Sequence, residues 1–71
     1  MSAIKRKEFD FQLPDVINAM IDELDTAVAA KATYVDCIQD EIRALAHGCT
    51  DDTITEEQAE EIIDYYCRRR F

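Results

Sequence analysis

The chain has 71 residues, 48% of them hydrophobic and 34% charged, with a formal net charge of −8. That apolar content excludes a disordered acidic tail and predicts one packed domain, although a domain of this size buries only about 60% of the surface that its unfolded chain exposes. A single Gly and a single Pro leave too few turn residues for an all-β protein, so we expect an all-α fold.

The first thirteen residues are predicted to form an extended arm. Phe9, Phe11 and Leu13 alternate with polar residues, a period of two that indicates an extended segment with one apolar side. Three apolar side chains are too few for a sheet. We therefore expect the arm to lie across the helices or to add to the surface of a partner.

Helix one is predicted over residues 14–30. Pro14 suits the first turn of a helix, and Asp15 is favoured near the positive end of the helix dipole. The following apolar residues recur at spacings of three or four, which is typical of an amphipathic helix. They are Leu13, Ile17, Met20, Leu24 and Val28.

A break between helix one and helix two is predicted at residues 30–33. One continuous helix over 14–47 would be about 50 Å long, which is too long for a compact domain of this size without a second chain. Thr33 can cap a new helix, and Asp36 three positions later completes a weak capping box. Helix two is therefore predicted over 33–47, with Val35, Ile38, Ile42 and Leu45 on its apolar side.

Helix three is predicted over residues 55–69. Gly48 is expected to end helix two in the left-handed conformation. Thr55 and Gln58 form a capping box, and Ile54 can pack on Ala59 as a hydrophobic staple. The predicted apolar face consists of Ala59, Ile62, Ile63 and Tyr66. Residues 1–71 then make a single helical domain, either a small three-helix bundle or a helical hairpin followed by a third helix.

The sequence predicts a cytoplasmic protein that does not cross a membrane. No apolar run approaches the roughly 18 residues of a membrane span, and the first ten residues are charged where a signal peptide is apolar. An odd set of three cysteines does not suit a disulfide framework, so we expect reduced thiols. Two of them, Cys37 and Cys67, are predicted to lie on apolar helix faces.

The sequence predicts no catalytic site, no metal site and no cofactor. The chain has one histidine and three cysteines that could bind zinc, which are His47, Cys37, Cys49 and Cys67. They are not spaced in the close pairs that structural zinc sites use. A Cys–His enzyme would rely on His47, which is better explained as a solvated residue at a helix end. One glycine cannot build a phosphate-binding loop.

The charges divide the chain into an acidic body and two basic ends. All 16 acidic residues lie between Glu8 and Asp64, where Lys31 and Arg43 alone oppose them. The remaining basic residues are Lys5, Arg6, Lys7, Arg68, Arg69 and Arg70. An acidic body repels phosphates, so we do not expect direct nucleic-acid binding, and basic protein surfaces are favoured as partners. The basic ends are expected to fold back on the acidic body or to pair with a second subunit.

Helix three is predicted to carry an acidic outer face. Its acidic residues form two rows in which successive residues are four positions apart. One row is Glu56, Glu60 and Asp64, and the other is Glu57 and Glu61. Stacked like charges cost a few tenths of a kcal/mol per pair. Such a face is either simply solvated or presented to a cationic protein surface, and its extreme form is a phosphate mimic.

The C-terminal residues are predicted to add a contact point for a partner. Tyr and Arg are residue types in which binding energy concentrates, and the candidates are Tyr65 and Phe71 with the arginines Arg68, Arg69 and Arg70. The three arginines are expected in the last turn of helix three, where the dipole favours positive charge. Tyr66 is assigned to the core.

Together these features indicate a small acidic helical module for protein–protein interaction that is not an enzyme and that associates with itself, as a dimer. One alternative is an acidic inhibitor that imitates nucleic acid and blocks a DNA- or RNA-binding enzyme, of the anti-restriction or anti-CRISPR type. A second alternative is a transcriptional accessory factor that uses its basic ends on DNA.

Overall fold

The computed structural model describes residues 3–50, 53–69 and 71. In chain order the helices are α1 (Asp15–Ala29), α2 (Val35–Gly48) and α3 (Glu56–Tyr66), and the described residues contain no strand. The molecule measures 33 × 21 × 19 Å along its principal axes. The predicted all-α fold with three helices is confirmed.

α1 begins where the sequence predicts. The backbone N–H groups of Ile17 and Asn18 both donate to the Pro14 carbonyl at 3.0 Å. The buried face of the helix consists of Ile17, Ile21, Leu24 and Ala27. The apolar stripe thus extends beyond the predicted set, and Leu13, Met20 and Val28 flank it as partly buried residues.

The predicted break between α1 and α2 is confirmed, but its cause is different. Lys31 has a φ of 54°, in the left-handed region. The Ala32 N–H donates to the Ala27 carbonyl at 2.9 Å, and the Lys31 N–H donates to the Val28 carbonyl at 3.1 Å. These bonds form a Schellman motif, which usually has glycine at the left-handed position. The predicted Thr33 cap is wrong, because α2 starts at Val35 and its N-cap Tyr34 makes no side-chain capping bond.

Gly48 does not end α2 in the predicted manner. It is the last residue of the helix, no described glycine has a positive φ, and Cys49 after it is in the right-handed helical region with a φ of −88°. The Cys49 N–H reaches the carbonyls of Leu45 and Ala46. The helix therefore ends in a tightened turn with no left-handed residue, and the expected role of Gly48 is wrong.

The start of α3 is confirmed and its end is corrected. Thr55 Oγ1 accepts from the Gln58 N–H at 3.1 Å and Gln58 Oε1 accepts from the Thr55 N–H at 2.9 Å, which is the predicted capping box. The helix stops at Tyr66, three residues before the predicted end. Arg68 and Arg69 therefore follow the helix and do not lie in its last turn.

All three helices contribute buried apolar residues to one core, and α2 packs against both α1 and α3. All four residues predicted for the apolar face of α3 are buried. Ile54 is also buried and belongs to the same core cluster as Ala59. Ile4 in the arm is 4% exposed, a core residue that sequence reasoning missed because no apolar periodicity surrounds it.

The residues before α1 contact both α1 and α3. Phe9, Phe11 and Leu13 are partly buried against the core, and the Phe9 ring lies 6.4 Å from that of Tyr66 in α3. On the other side, Arg6 forms ion pairs with Asp22 at 2.6 Å and Asp25 at 3.3 Å, both in α1. The hydrogen bond to Asp22 is the largest cause of a raised pKa for Arg6. The arm therefore ties α1 to α3.

Candidate interaction surface

The acidic residues predicted on α3 are all exposed. They occupy the side of the helix opposite its buried face, as the spacing of four predicts. The basic residues Arg68 and Arg69 are also exposed, and Tyr65 is partly buried. Arg70 lies outside the described residues, so its predicted site role has no structural counterpart here.

One of the two acidic rows is partly neutralised by the chain itself. Arg68 forms ion pairs with Asp64 and, at 3.3 Å, with Glu60. These side chains are all more than half exposed, so the pairs contribute little to stability. Their consequence is electrostatic, because they reduce the negative potential along the row formed by Glu56, Glu60 and Asp64. This arrangement agrees with the expectation that the basic end folds back on the acidic body.

The second acidic row remains open. Glu57 and Glu61 are exposed, and neither forms an ion pair within the part of the chain that the structure describes. Continuing by four residues along the same row reaches Tyr65. A rise of 1.5 Å per residue places Tyr65 about 12 Å along the axis from Glu57.

The two basic ends of the chain meet at Tyr65. The centre of the Arg69 guanidinium lies 4.2 Å from the centroid of the Tyr65 ring, and Lys7 Nζ lies 5.9 Å from the same centroid. The Tyr65 hydroxyl donates to the carbonyl of Lys5 at 2.7 Å. Cations near an aromatic ring are attracted by its quadrupole. We call Lys7, Tyr65 and Arg69 the Tyr65 cluster.

Tyr66, which is next to Tyr65 in the chain, holds the arm against α3 through a hydrogen bond. It is 1% exposed, as predicted for a core residue, and its ring meets Tyr65 edge-on at 4.9 Å. Its hydroxyl oxygen accepts from the Lys7 N–H at 3.2 Å. Burial raises the pKa of Tyr66. This bond fixes the backbone of Lys7 beside α3, which is how a residue near the start of the chain reaches Tyr65.

Phe71 lies elsewhere and does not join the Tyr65 cluster. Its side chain is 41% exposed and lines an open groove of about 760 Å³ with Val28, Ala32 and Val35 near the α1–α2 turn. Sequence reasoning placed Phe71 with Tyr65 and the arginines because they are close in the chain. In the structure Phe71 instead lines the groove near the α1–α2 turn.

The thiols and His47 are dispersed. Cys37 is exposed, so its predicted place on an apolar face is wrong, whereas Cys67 is partly buried and its Sγ donates to Gln39 O at 3.0 Å. Burial raises the pKa of Cys67 to about 11. In the described part of the chain no three His, Cys, Asp or Glu side chains are grouped so that they could hold a metal ion.

Among the described residues, no helix combines the length and the apolar content that crossing a membrane requires. Comparison of the chain with protein-family models, with curated proteins and with solved structures finds no match in any of the three.

Proposed function

We propose that this chain is a non-enzymatic protein–protein interaction module that binds its partner through the row formed by Glu57, Glu61 and the Tyr65 cluster. One observation supports this most: the exposed row has at one end two carboxylates that form no ion pair with the described residues, and at the other end two cations around a tyrosine. A partner with the opposite arrangement of charge satisfies both ends.

The chemistry of the row suits recognition more than stability. Tyr and Arg are the residue types in which binding energy concentrates at interfaces, and charge complementarity sets register and association rate. The row spans only about 12 Å of helix, so it covers a much smaller area than the roughly 800 Å² per partner of a standard interface. We therefore propose that the row makes a weak or transient contact with its partner, in the cytoplasm and without a cofactor.

The nucleic-acid mimic and the transcriptional accessory factor remain alternative hypotheses. The formal charge of −8 fits a mimic, but the pairing of Arg68 with Glu60 and Asp64 lowers the charge that α3 can present. The meeting of the two basic ends at Tyr65 gives the accessory factor a larger cationic patch than either end alone. Neither observation outweighs the mixed charge of the row.

Affinity capture with matched variants tests the proposal. The full chain, a row variant carrying Lys7→Glu and Arg69→Glu, and a Tyr65→Ala variant are each used to capture proteins from cell extract. We expect both variants to lose a protein that the native chain retains, by at least about fivefold. The control Glu23→Lys with Glu41→Lys changes two exposed residues of α1 and α2 and is expected to retain it.

The same experiment separates the alternatives. Equal capture by the native chain and both variants contradicts the proposal. A captured nucleic-acid-binding enzyme that is released by Glu56→Lys with Glu60→Lys but not by Tyr65→Ala favours the mimic. A band shift of duplex DNA at about 0.15 M salt that Arg69→Glu abolishes favours the accessory factor.

A further inference from the structure

The row on α3 is self-complementary under a two-fold rotation. Its acidic end is Glu57 and Glu61, and its basic end is Lys7 and Arg69 around Tyr65. If a second copy is laid against it with α3 antiparallel, the acidic end of each copy faces the basic end of the other. A parallel arrangement would instead place like charges opposite each other.

We infer that the partner of this row is a second copy of the chain, bound with the two α3 helices antiparallel about a two-fold axis that passes midway between Glu61 and Tyr65. The inference rests on the proposed function, since it names the occupant of the same surface. In this arrangement Glu57 faces Arg69 of the second copy, and Glu61 faces Lys7 of the second copy. Each contact occurs twice because a two-fold interface repeats every pair.

The direction of the row is compatible with helix packing. Residues spaced by four form a ridge inclined about 26° to the helix axis, and two such ridges lie alongside each other when the helices cross at about 50°. The partly buried Tyr65 rings then approach the centre of the interface. There they supply apolar area between the two sets of ion pairs.

The net charge makes this association weak, and for the same reason the salt dependence of dimerisation does not test the proposed ion pairs. Two copies of a chain with charge −8 repel each other, and salt screens that repulsion while also weakening the specific ion pairs. Charge reversal separates the two effects when both ends of the row are reversed together, because the net charge then stays at −8. Mixing variants of opposite charge also tests the antiparallel register itself.

The test uses two purified variants, Glu57→Lys with Glu61→Lys and Lys7→Glu with Arg69→Glu. Alone, each places like charges opposite each other in the dimer, and we expect its dissociation constant to rise about tenfold or more. Mixed in equal amounts, they restore opposite charges at all four contacts, so a heterodimer should form within about threefold of the native affinity. A chain carrying all four changes should also dimerise.

Sedimentation equilibrium at several concentrations in about 0.15 M salt measures these constants, with circular dichroism to verify that each variant is folded. The control Glu23→Lys with Glu41→Lys should dimerise at least as well as the native chain, because it leaves the row intact and lowers the magnitude of the negative net charge. A native chain that stays monomeric, or a dimer that the two variants do not weaken, overturns the inference. If the native chain is monomeric but still captures a protein that the row variants lose, the proposed function stands and only the identity of the partner is wrong.

Discussion

The side-chain amide of Gln39 in α2 donates to the main-chain carbonyl of Tyr66 at the end of α3, over 2.8 Å. The same nitrogen donates to the carbonyl of Arg69, also over 2.8 Å. An amide NH₂ has two hydrogens, so it can satisfy both carbonyls at once. Gln39 is 8% exposed. Its position sets where the chain leaves α3 and therefore where Arg69 meets Tyr65.

Replacing Gln39 is expected to destabilise the fold, and replacement by Glu is expected to do so in a pH-dependent way. Gln39→Leu removes both donors and should lower the free energy of unfolding by about 2 kcal/mol. Gln39→Glu should cost more at pH 7, because a carboxylate then faces two carbonyl oxygens. The folded state raises the pKa of that new carboxyl, so stability should recover as pH falls from 7 to 5.

Urea denaturation at both pH values checks this prediction. Gln12→Glu, the same change at an exposed position of the arm, is the control and should have little effect. Equal stability of the native chain and the Gln39→Leu variant would show that Gln39 does not hold the end of α3.

Lys31→Gly is expected to stabilise the protein by about 1 kcal/mol. Lys31 has a φ of 54°, a conformation that costs an L-residue roughly 1–2 kcal/mol and that glycine adopts freely. For a domain of this size the melting temperature should rise by about 4–8 °C. Lys31→Ala is the matched control, since it removes the charge but keeps the strain, and a similar rise for both variants would contradict the explanation.

Gly48→Ala should also stabilise the protein, by about 0.5–1 kcal/mol. Gly48 has an ordinary helical φ, and a Cβ added there meets no atom within 4 Å. Alanine then gains helix propensity without a clash. Thermal unfolding measures the change. A loss of stability would indicate that Gly48 needs the left-handed conformation that the sequence alone suggested.

Ile4→Ala is expected to lower the free energy of unfolding by about 2 kcal/mol, because it leaves a cavity where the arm enters the core. Ile4 is 4% exposed. Ile4→Val should cost only about 0.5–1.5 kcal/mol. Chemical denaturation of the two variants gives the comparison. If both are as stable as the native chain, the first part of the arm does not contribute to the core.

Cys67 should react with iodoacetamide much more slowly than Cys37 at pH 8. The thiolate is the reactive form, and burial raises the pKa of Cys67 from 9.0 to about 11, which lowers its thiolate fraction about 100-fold. Cys37 is exposed and should be labelled first. Mass spectrometry of the labelled sites follows the rates, and in guanidinium the difference should disappear.

The raised pKa of Cys67 also affects stability at alkaline pH. The folded state holds the thiol proton more tightly than the unfolded state, so this contribution is complete below about pH 9 and is lost as pH rises towards 11. Replacing Cys67 by Ala should therefore make the stability less sensitive to pH in that range. Denaturant titrations at pH 8 and pH 10 give this comparison.

The helices and the buried face of α3 were predictable because their causes are local. Periodic apolar residues identify a helix, and the capping box joins Thr55 to Gln58 only three positions away. The open row of Glu57 and Glu61 follows from the same spacing of four. None of these features requires knowledge of what packs against the helix.

Only the tertiary structure decided where α3 ends and what surrounds Tyr65. Gln39 acts on a carbonyl 27 residues along the chain, and the Tyr65 hydroxyl reaches a carbonyl 60 residues away. Such contacts depend on how the helices and the arm pack, and no local pattern encodes them. The sequence by itself therefore determined the helices and their polar faces, while packing brought the two basic ends together beside an acidic row.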